Sequence, residues 1–176
     1  MNLKSLTENL GDFARDVRLN VSNVLSVDGA PGLTLNQIAS VALASSYGTK
    51  NMDLVRAVKG EFAETLTPAD IEGAKAAATI MGMNNIYYRF LHLSKDKEFS
   101  QMPAKLRMNI IANPGVPKVD FELSSLAVSA ISGCGMCINA HVKQVKKEGI
   151  TAEGVQSAVR IASVINSAAA ALAITE

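Results

Sequence analysis

Thr67-Pro68-Ala69-Asp70 leads into Ile71-Glu72-Gly73-Ala74-Lys75-Ala76-Ala77-Ala78-Thr79-Ile80-Met81-Gly82-Met83-Asn84-Asn85-Ile86-Tyr87-Tyr88-Arg89-Phe90. Threonine at the capping position, proline at the first helical position and an acid at the third are the chemistry of a helix start: the hydroxyl satisfies a free N–H, proline has none to satisfy, and the carboxylate meets the positive helix end. The spacing predicts a helix from Pro68 to about Phe90.

Working outward, the same period recurs. Leu3, Leu6, Leu10, Phe13 and Val17 fall on one stripe of an amphipathic opening helix. Gly29 to Gly32, with Pro31 between, breaks the pattern before a second helix from about Leu35 to Ser46, which Gly48 interrupts. Asn51 to Glu64 is the next helix. Pro103, Pro114 and Pro117 punctuate a polar middle segment, and beyond it Lys118 to Ser132, Cys134 to Lys147 and Ala152 to Leu172 each read as helices, the last capped by Thr151. No window alternates with period two, so the fold class is all-α, in one domain spanning residues 1–176. Ile80-Met81-Gly82 and Ile131-Ser132-Gly133 each follow an alanine-rich stretch, a faint sign of internal duplication.

Charged residues make up 19% of the chain and apolar ones 48%, a thin polar coat that predicts burial against further copies of the chain. The net charge is +1 with no long run of either sign, so nothing recruits nucleic acid or an anionic membrane. Lys4, Glu8, Asp12, Arg15 and Asp16 interrupt the first residues, where a secretory signal needs an unbroken apolar run; the expected location is the cytoplasm. Ile161 to Ile174 is apolar apart from small Ser and Asn residues. Fourteen residues are too few to cross a bilayer, and the segment reads as a helix buried on every side, in the core or between subunits.

The two cysteines of the chain stand in Gly133-Cys134-Gly135-Met136-Cys137-Ile138-Asn139-Ala140-His141, beside one of its two histidines. In a reducing compartment such a CxxC cycles between dithiol and disulfide, or binds metal. If Cys134 opens a helix, Cys134, Cys137 and His141 fall within an arc of roughly 60°, and the free N–H groups of that helix end favour thiolate. His141 could take and return a proton during exchange, or could simply cap carbonyls or pack at the surface. Glu122 shares a face with Ser125, Ser129 and Ser132 within about 80°, opposite Leu126, Ala127, Ala130 and Ile131. It could orient His141, or be a solvated acid near a helix N-terminus. Zinc held by Cys134, Cys137, His141 and Glu122 is the chemical competitor, although zinc CxxC pairs usually sit on a knuckle and recruit a second Cys or His pair. His92 reads as a helix-end residue outside the chemistry; Met81, Met83, Met102 and Met108 read as core filler, and Tyr87, Tyr88 and Arg89 give no specific signal.

Three stretches carry a resemblance to a known family: Ala78-Thr79-Ile80-Met81-Gly82-Met83-Asn84-Asn85; Leu106-Arg107-Met108-Asn109-Ile110-Ile111-Ala112-Asn113-Pro114-Gly115; and Phe121-Glu122-Leu123 leading to Cys134-x-x-Cys137-x-x-x-His141. Nearly end to end, the chain resembles the alkyl hydroperoxide reductase D (AhpD) family within the carboxymuconolactone decarboxylase-like superfamily. The resemblance implies an all-helical, internally duplicated subunit assembled as a homotrimer, binding no flavin, haem or metal. It implies electron transfer from dihydrolipoamide, on a lipoyl-bearing acyltransferase served by lipoamide dehydrogenase, to the peroxiredoxin AhpC, with weak hydroperoxide reduction besides. In that pattern Cys137 attacks, Cys134 gives a proton and resolves, and Glu122 and His141 form the proton relay. One departure stands out: family members commonly carry a histidine inside the CxxC where this chain has Met136, which cannot shuttle protons, and Gly135 leaves that turn permissive. Two other readings are a decarboxylase or isomerase like other branches, which generally lack the paired thiols, and a module with structural zinc.

Overall fold

Thr67 and Asp70 start their helix by reciprocal capping: Asp70 N donates to Thr67 Oγ1 (3.2 Å) and Thr67 N donates to Asp70 Oδ2 (2.9 Å). The helix runs from Pro68 to Ser94, so His92 stands in its last turn. The computed structural model describes residues 2–8, 10–94 and 96–174. Among them lie nine α-helices and no strand: α1 Leu3–Thr7, α2 Arg15–Val24, α3 Leu35–Thr49, α4 Met52–Glu61, α5 Pro68–Ser94, α6 Lys97–Gln101, α7 Lys118–Ser132, α8 Gly135–Lys147 and α9 Ala152–Ala173. The fold is all-α.

At the centre α3 packs against α7, and each of the two also packs against α5 and α9. Ile38 to Ser46 of α3 and Phe121 to Ser129 of α7 are buried on all sides. Such burial needs small residues among the large ones, and Ala39, Ala42, Ala44, Ser124 and Ala127 supply them. Ser45 and Ser46 satisfy their hydroxyls on the carbonyls of Val41 and Ala42, one turn back. Gly48 does not interrupt α3 as the sequence suggests. Its place is filled closely by α7, with Val128 3.6 Å from where a Cβ would stand, and α3 ends instead at Lys50 in the left-handed region.

The chain uses one three-helix pattern twice. In both, a 15-residue helix (α3, α7) ends on a left-handed residue, Lys50 or Gly133. The next residue, Asn51 or Cys134, caps the following helix by accepting from the N–H three residues on. A threonine, Thr67 or Thr151, then starts a long third helix. The tripeptides at Ile80 and Ile131 are not the matching positions, for Gly82 lies inside α5 whereas Gly133 ends α7.

Other expectations are corrected. The opening helix is broken, with Asn9 of that stretch outside the described residues: α1 ends at Thr7, Gly11 precedes a 3-10 turn, and α2 begins at Arg15. Leu10 is buried but Phe13 is 62% exposed: Phe13 lies in the 3-10 turn Asp12–Ala14 rather than on a helix continuous with α1, and the Arg18 side chain bonds the carbonyls of Leu10 and Gly11 beside that turn. The helix expected to Glu64 stops at Glu61, and α6 forms within the proline-punctuated segment. The final helix has 22 residues and, by length and composition alone, could cross a bilayer. It is not buried on every side: Ile161, Ile165 and Ala168 face the core, while Ser163, Asn166, Ser167 and Ala170 are exposed.

Candidate redox-active site

Helix α7 delivers Glu122 and, through the Gly133 turn, Cys134. Gly133 holds φ +68°, and Cys134 N bonds back to Ser129 O, which sets Cys134 just outside α8. Cys134 therefore caps α8 rather than opening it, with Sγ accepting from Cys137 N at 3.3 Å. Cys137, one turn into α8, is bonded to Cys134 as a disulfide with Cα atoms 5.3 Å apart. Within the first turn of a helix this pairing needs no rearrangement of the backbone.

The two sulfurs differ in access. Cys134 is fully enclosed, whereas Cys137 lines a cavity of about 400 Å³ with Met81, Asn84, Tyr88, Met108, Ile111 and Met136 on its walls. Glu122, Ala140, His141 and Gln144 complete the lining. The accessible sulfur is thus Cys137, and an incoming nucleophile or electrophile meets it first. Cys134 Sγ accepts from the Cys137 N–H at the start of α8, and that helix end stabilises negative charge on it when the bond opens.

Glu122 is buried, 5% exposed, and Oε2 lies 2.7 Å from Nδ1 of His141, itself 8% exposed. That burial overturns the reading of Glu122 as a solvated acid and of His141 as a surface group. A carboxylate in this position fixes the ring and its tautomer. The other ring nitrogen, Nε2, is 3.2 Å from Met81 Sδ. Both nitrogens are thereby engaged, and the imidazole borders the cavity edge-on to these partners rather than bonding a cysteine directly. Ser125 and Ser129, on the same stripe of α7 as Glu122, are buried too; Ser129 donates to Asn85 Oδ1.

Sequence reasoning placed Met81, Met83, Met102 and Met108 together as core filler, and the structure separates them. Met81 is core and touches His141; Met108 walls the cavity; Met83 is half-buried and Met102 is 50% exposed. Tyr88, which gave no signal, also lines the cavity, with its hydroxyl 3.9 Å from Met108 Sδ. Arg89 bonds Ser132 O at the end of α7. Asn84 was missed as well; its only trace was membership of the Ala78–Asn85 stretch. Among the described residues no three His, Cys, Asp or Glu side chains are grouped so as to hold a metal ion.

Known proteins resemble this chain over nearly its whole length. The model of the carboxymuconolactone decarboxylase family matches residues 97–176, the half that holds the cysteines, Glu122 and His141. The alkyl hydroperoxide reductase AhpD of Brucella canis is 52% identical over 172 residues, covering 98% of this chain and 97% of its own. The AhpD of Rhodospirillum centenum is 49% identical over 98% of this chain and 91% of its own, and that of Coxiella burnetii strain Dugway 49% over 93% of both.

Proposed function

We propose, for a chain that belongs to the AhpD family of alkyl hydroperoxide reductases, that its Cys134–Cys137 pair carries electrons from a protein-linked dihydrolipoamide to a peroxiredoxin of the AhpC type. A weak hydroperoxide reduction of its own accompanies this, in a cytoplasmic homotrimer. The observation that carries the reading is the bonded cysteine pair with its outer sulfur, Cys137, on the wall of an apolar cavity beside a buried carboxylate–imidazole pair.

Starting from the disulfide, a dihydrolipoamide thiolate attacks Cys137 Sγ. A mixed disulfide forms on Cys137, and Cys134 leaves as a thiolate held by the N–H groups of α8. The second lipoyl thiol then displaces Cys137, the lipoyl ring closes, and two electrons rest on the cysteine pair. In the second half, Cys137 thiolate attacks the disulfide of the oxidised peroxiredoxin, and Cys134 displaces the partner and closes the Cys134–Cys137 bond again. One proton is taken up or released at each opening and closing. Since His141 bonds Glu122 and Met81, its proton reaches sulfur through a molecule in the cavity that both border, a water or the substrate itself. Met136, 41% exposed at the mouth, supplies apolar wall and no proton.

The test couples NADH, lipoamide dehydrogenase and lipoamide to the purified protein and measures hydroperoxide consumption with and without an AhpC-type peroxiredoxin. Turnover should rise when the peroxiredoxin is added and vanish in Cys137→Ser. Cys134→Ser should trap a mixed disulfide on Cys137, seen by mass spectrometry. An adduct on Cys134 instead would reverse the roles, and turnover surviving the double serine variant would remove the dithiol from the function.

A further inference from the structure

Met81 packs into the core, 1% exposed, with its sulfur 3.2 Å from Nε2 of His141. What methionine adds to a leucine of like volume is that sulfur, and a thioether has lone pairs but no hydrogen to give, so it can only accept. On the other side of the ring Glu122, an acceptor alone when ionised, lies 2.7 Å from Nδ1. His141 thus stands between two acceptors, and a neutral imidazole has one N–H for the two of them. The hydrogen bonds are complete when both nitrogens carry a proton and the imidazolium faces a carboxylate. They are complete also when Glu122 is protonated toward Nδ1 and the ring keeps Nε2–H. The two forms hold the same number of protons, one more than a carboxylate beside a neutral imidazole, and both put a hydrogen on Nε2. Without it a nitrogen lone pair would meet a sulfur lone pair at 3.2 Å. Besides His141, the titratable residues lining the cavity are Glu122 from α7, Tyr88 from α5 and Cys137 from α8, the last bonded to Cys134; α9, which also packs on α8, contributes none.

We propose that Met81 is a positioning residue of the redox site: its thioether accepts Nε2–H of His141 and so keeps the Glu122–His141 pair loaded with a proton while the disulfide is closed. The proposal rests on the dithiol reading above and gives the proton of that reaction its starting place. When a dihydrolipoamide thiolate opens the Cys134–Cys137 bond, the new S–S bond forms on Cys137, the old one breaks, and the departing sulfur keeps the electron pair. That sulfur ends as a thiol only if a proton reaches it, and in the oxidised protein neither cysteine holds one. The loaded pair supplies it. The second lipoyl thiol ionises as it closes the lipoyl ring and returns a proton to His141, so dihydrolipoamide loses two electrons, the cysteine pair gains two, and the pair is loaded again. A thioether is a weak acceptor, which holds the proton in place without competing for it.

Met81→Leu keeps the volume and removes the acceptor. With two histidines in the chain, nitrogen-15 ring spectra of the oxidised protein, assigned with His92→Gln, read whether Nε2 of His141 carries a hydrogen. In wild type it should, and in Met81→Leu at the same pH the ratio of protonated to bare Nε2 should fall about fivefold, the worth of one hydrogen bond net of water. Turnover in the lipoamide-coupled assay should fall by a similar factor at about pH 8 and by less at about pH 6, where the ring is loaded from solvent. A lost packing contact would lower turnover equally at both. Should Met81→Leu not fold, the wild-type spectrum decides alone. A bare Nε2 in the oxidised wild type, an unchanged ratio in Met81→Leu, or a deficit equal at both pH values overturns the proposal and leaves the dithiol reading standing. Turnover that survives in Cys137→Ser ends the dithiol reading, and the use proposed for this proton with it.

Discussion

In the proposed relay, Glu122 and His141 are the residues on which the proton chemistry turns. A buried carboxylate 2.7 Å from an imidazole holds the ring fixed, as the proposed relay requires. Glu122→Gln preserves the shape and a hydrogen bond but removes the charge; turnover in the lipoamide-coupled assay should fall about 100-fold, within the range of general acid–base catalysis, while the melting transition shifts little. Full activity would take the pair out of the mechanism. Two other carboxylates, Asp70 and Asp120, bear on how stability responds to pH. Burial pushes Asp70 up, but hydrogen bonds from the Thr67 hydroxyl and N–H and from Asn36 outweigh it and hold the carboxyl below its ordinary value. Asp120 goes the other way: burial, with the nearby Asp70 charge, raises it despite the hydrogen bond from Gln37. For Asp70 the native state binds protons less well than the unfolded chain, so its contribution is present at neutral pH and lost as pH falls through its folded value. For Asp120 the native state binds protons better, so stability declines as pH rises from the ordinary carboxylate range through the raised folded value. Asp120→Asn, always neutral, should therefore melt higher than wild type at pH 7, and the gain should vanish in denaturation series run below about pH 4. A gain that persists in acid would place its origin outside the charge.

At the scale of elements, two glycines show what the connections cost. Gly133, at the turn that hands α7 over to Cys134, has φ +68° and open space where a Cβ would stand, so Gly133→Ala pays only for the left-handed backbone, about 1 kcal/mol. Gly32 also has a positive φ, +81°, but a Cβ there would stand 2.7 Å from Gly154 N, in the first turn of α9. Gly32→Ala must push α9 away as well and should lose about 2–4 kcal/mol in urea unfolding, more than Gly133→Ala; the reverse order would mean that the α9 contact yields easily. These elements also show where sequence was readable. Lys118 to Ser132 and the Thr151 start of α9 came out of local signals, a proline before one helix and a capping hydroxyl before the other, and the structure places them there. The split of α1 from α2 did not, because the apolar period runs on through it while the chain turns at Gly11 and Asp12–Ala14, where Arg18 meets the carbonyls of Leu10 and Gly11. Helical period brought Glu122 to the thiol end as a candidate, since it shares one chain segment with them. Met81 and Asn84 arrive from α5, far off in sequence, and a thioether or an amide on an inward helix face is indistinguishable from core until the neighbour across the interface is known.

The whole molecule leaves one face of α5 uncovered. Ile86, Phe90 and Leu93 follow one another at helical spacing and are 67%, 46% and 65% exposed, while the opposite face of the same helix carries Met81, Asn84 and Asn85 inward. Phe99 of α6 meets Phe90 at a tilt, with ring centroids 5.1 Å apart, and Met102, the residue after α6, is 50% exposed. An apolar stripe of this kind, on a chain with only 19% charged residues, is the surface that the proposed homotrimer buries. Burying each such side chain contributes about 1.5–3 kcal/mol, so two lysines placed in the stripe forfeit about 3–6 kcal/mol of contact between subunits. The proposed homotrimer predicts that sedimentation of the wild-type protein gives about three times the 18.6 kDa subunit mass and that Ile86→Lys/Leu93→Lys sediments as the single subunit. Because the substituted side chains point away from the cavity, the dissociated variant should remain helical by circular dichroism. A wild-type protein sedimenting at the subunit mass would end the trimer proposal, and a double variant that keeps the assembled mass would move the interface to another face of the molecule.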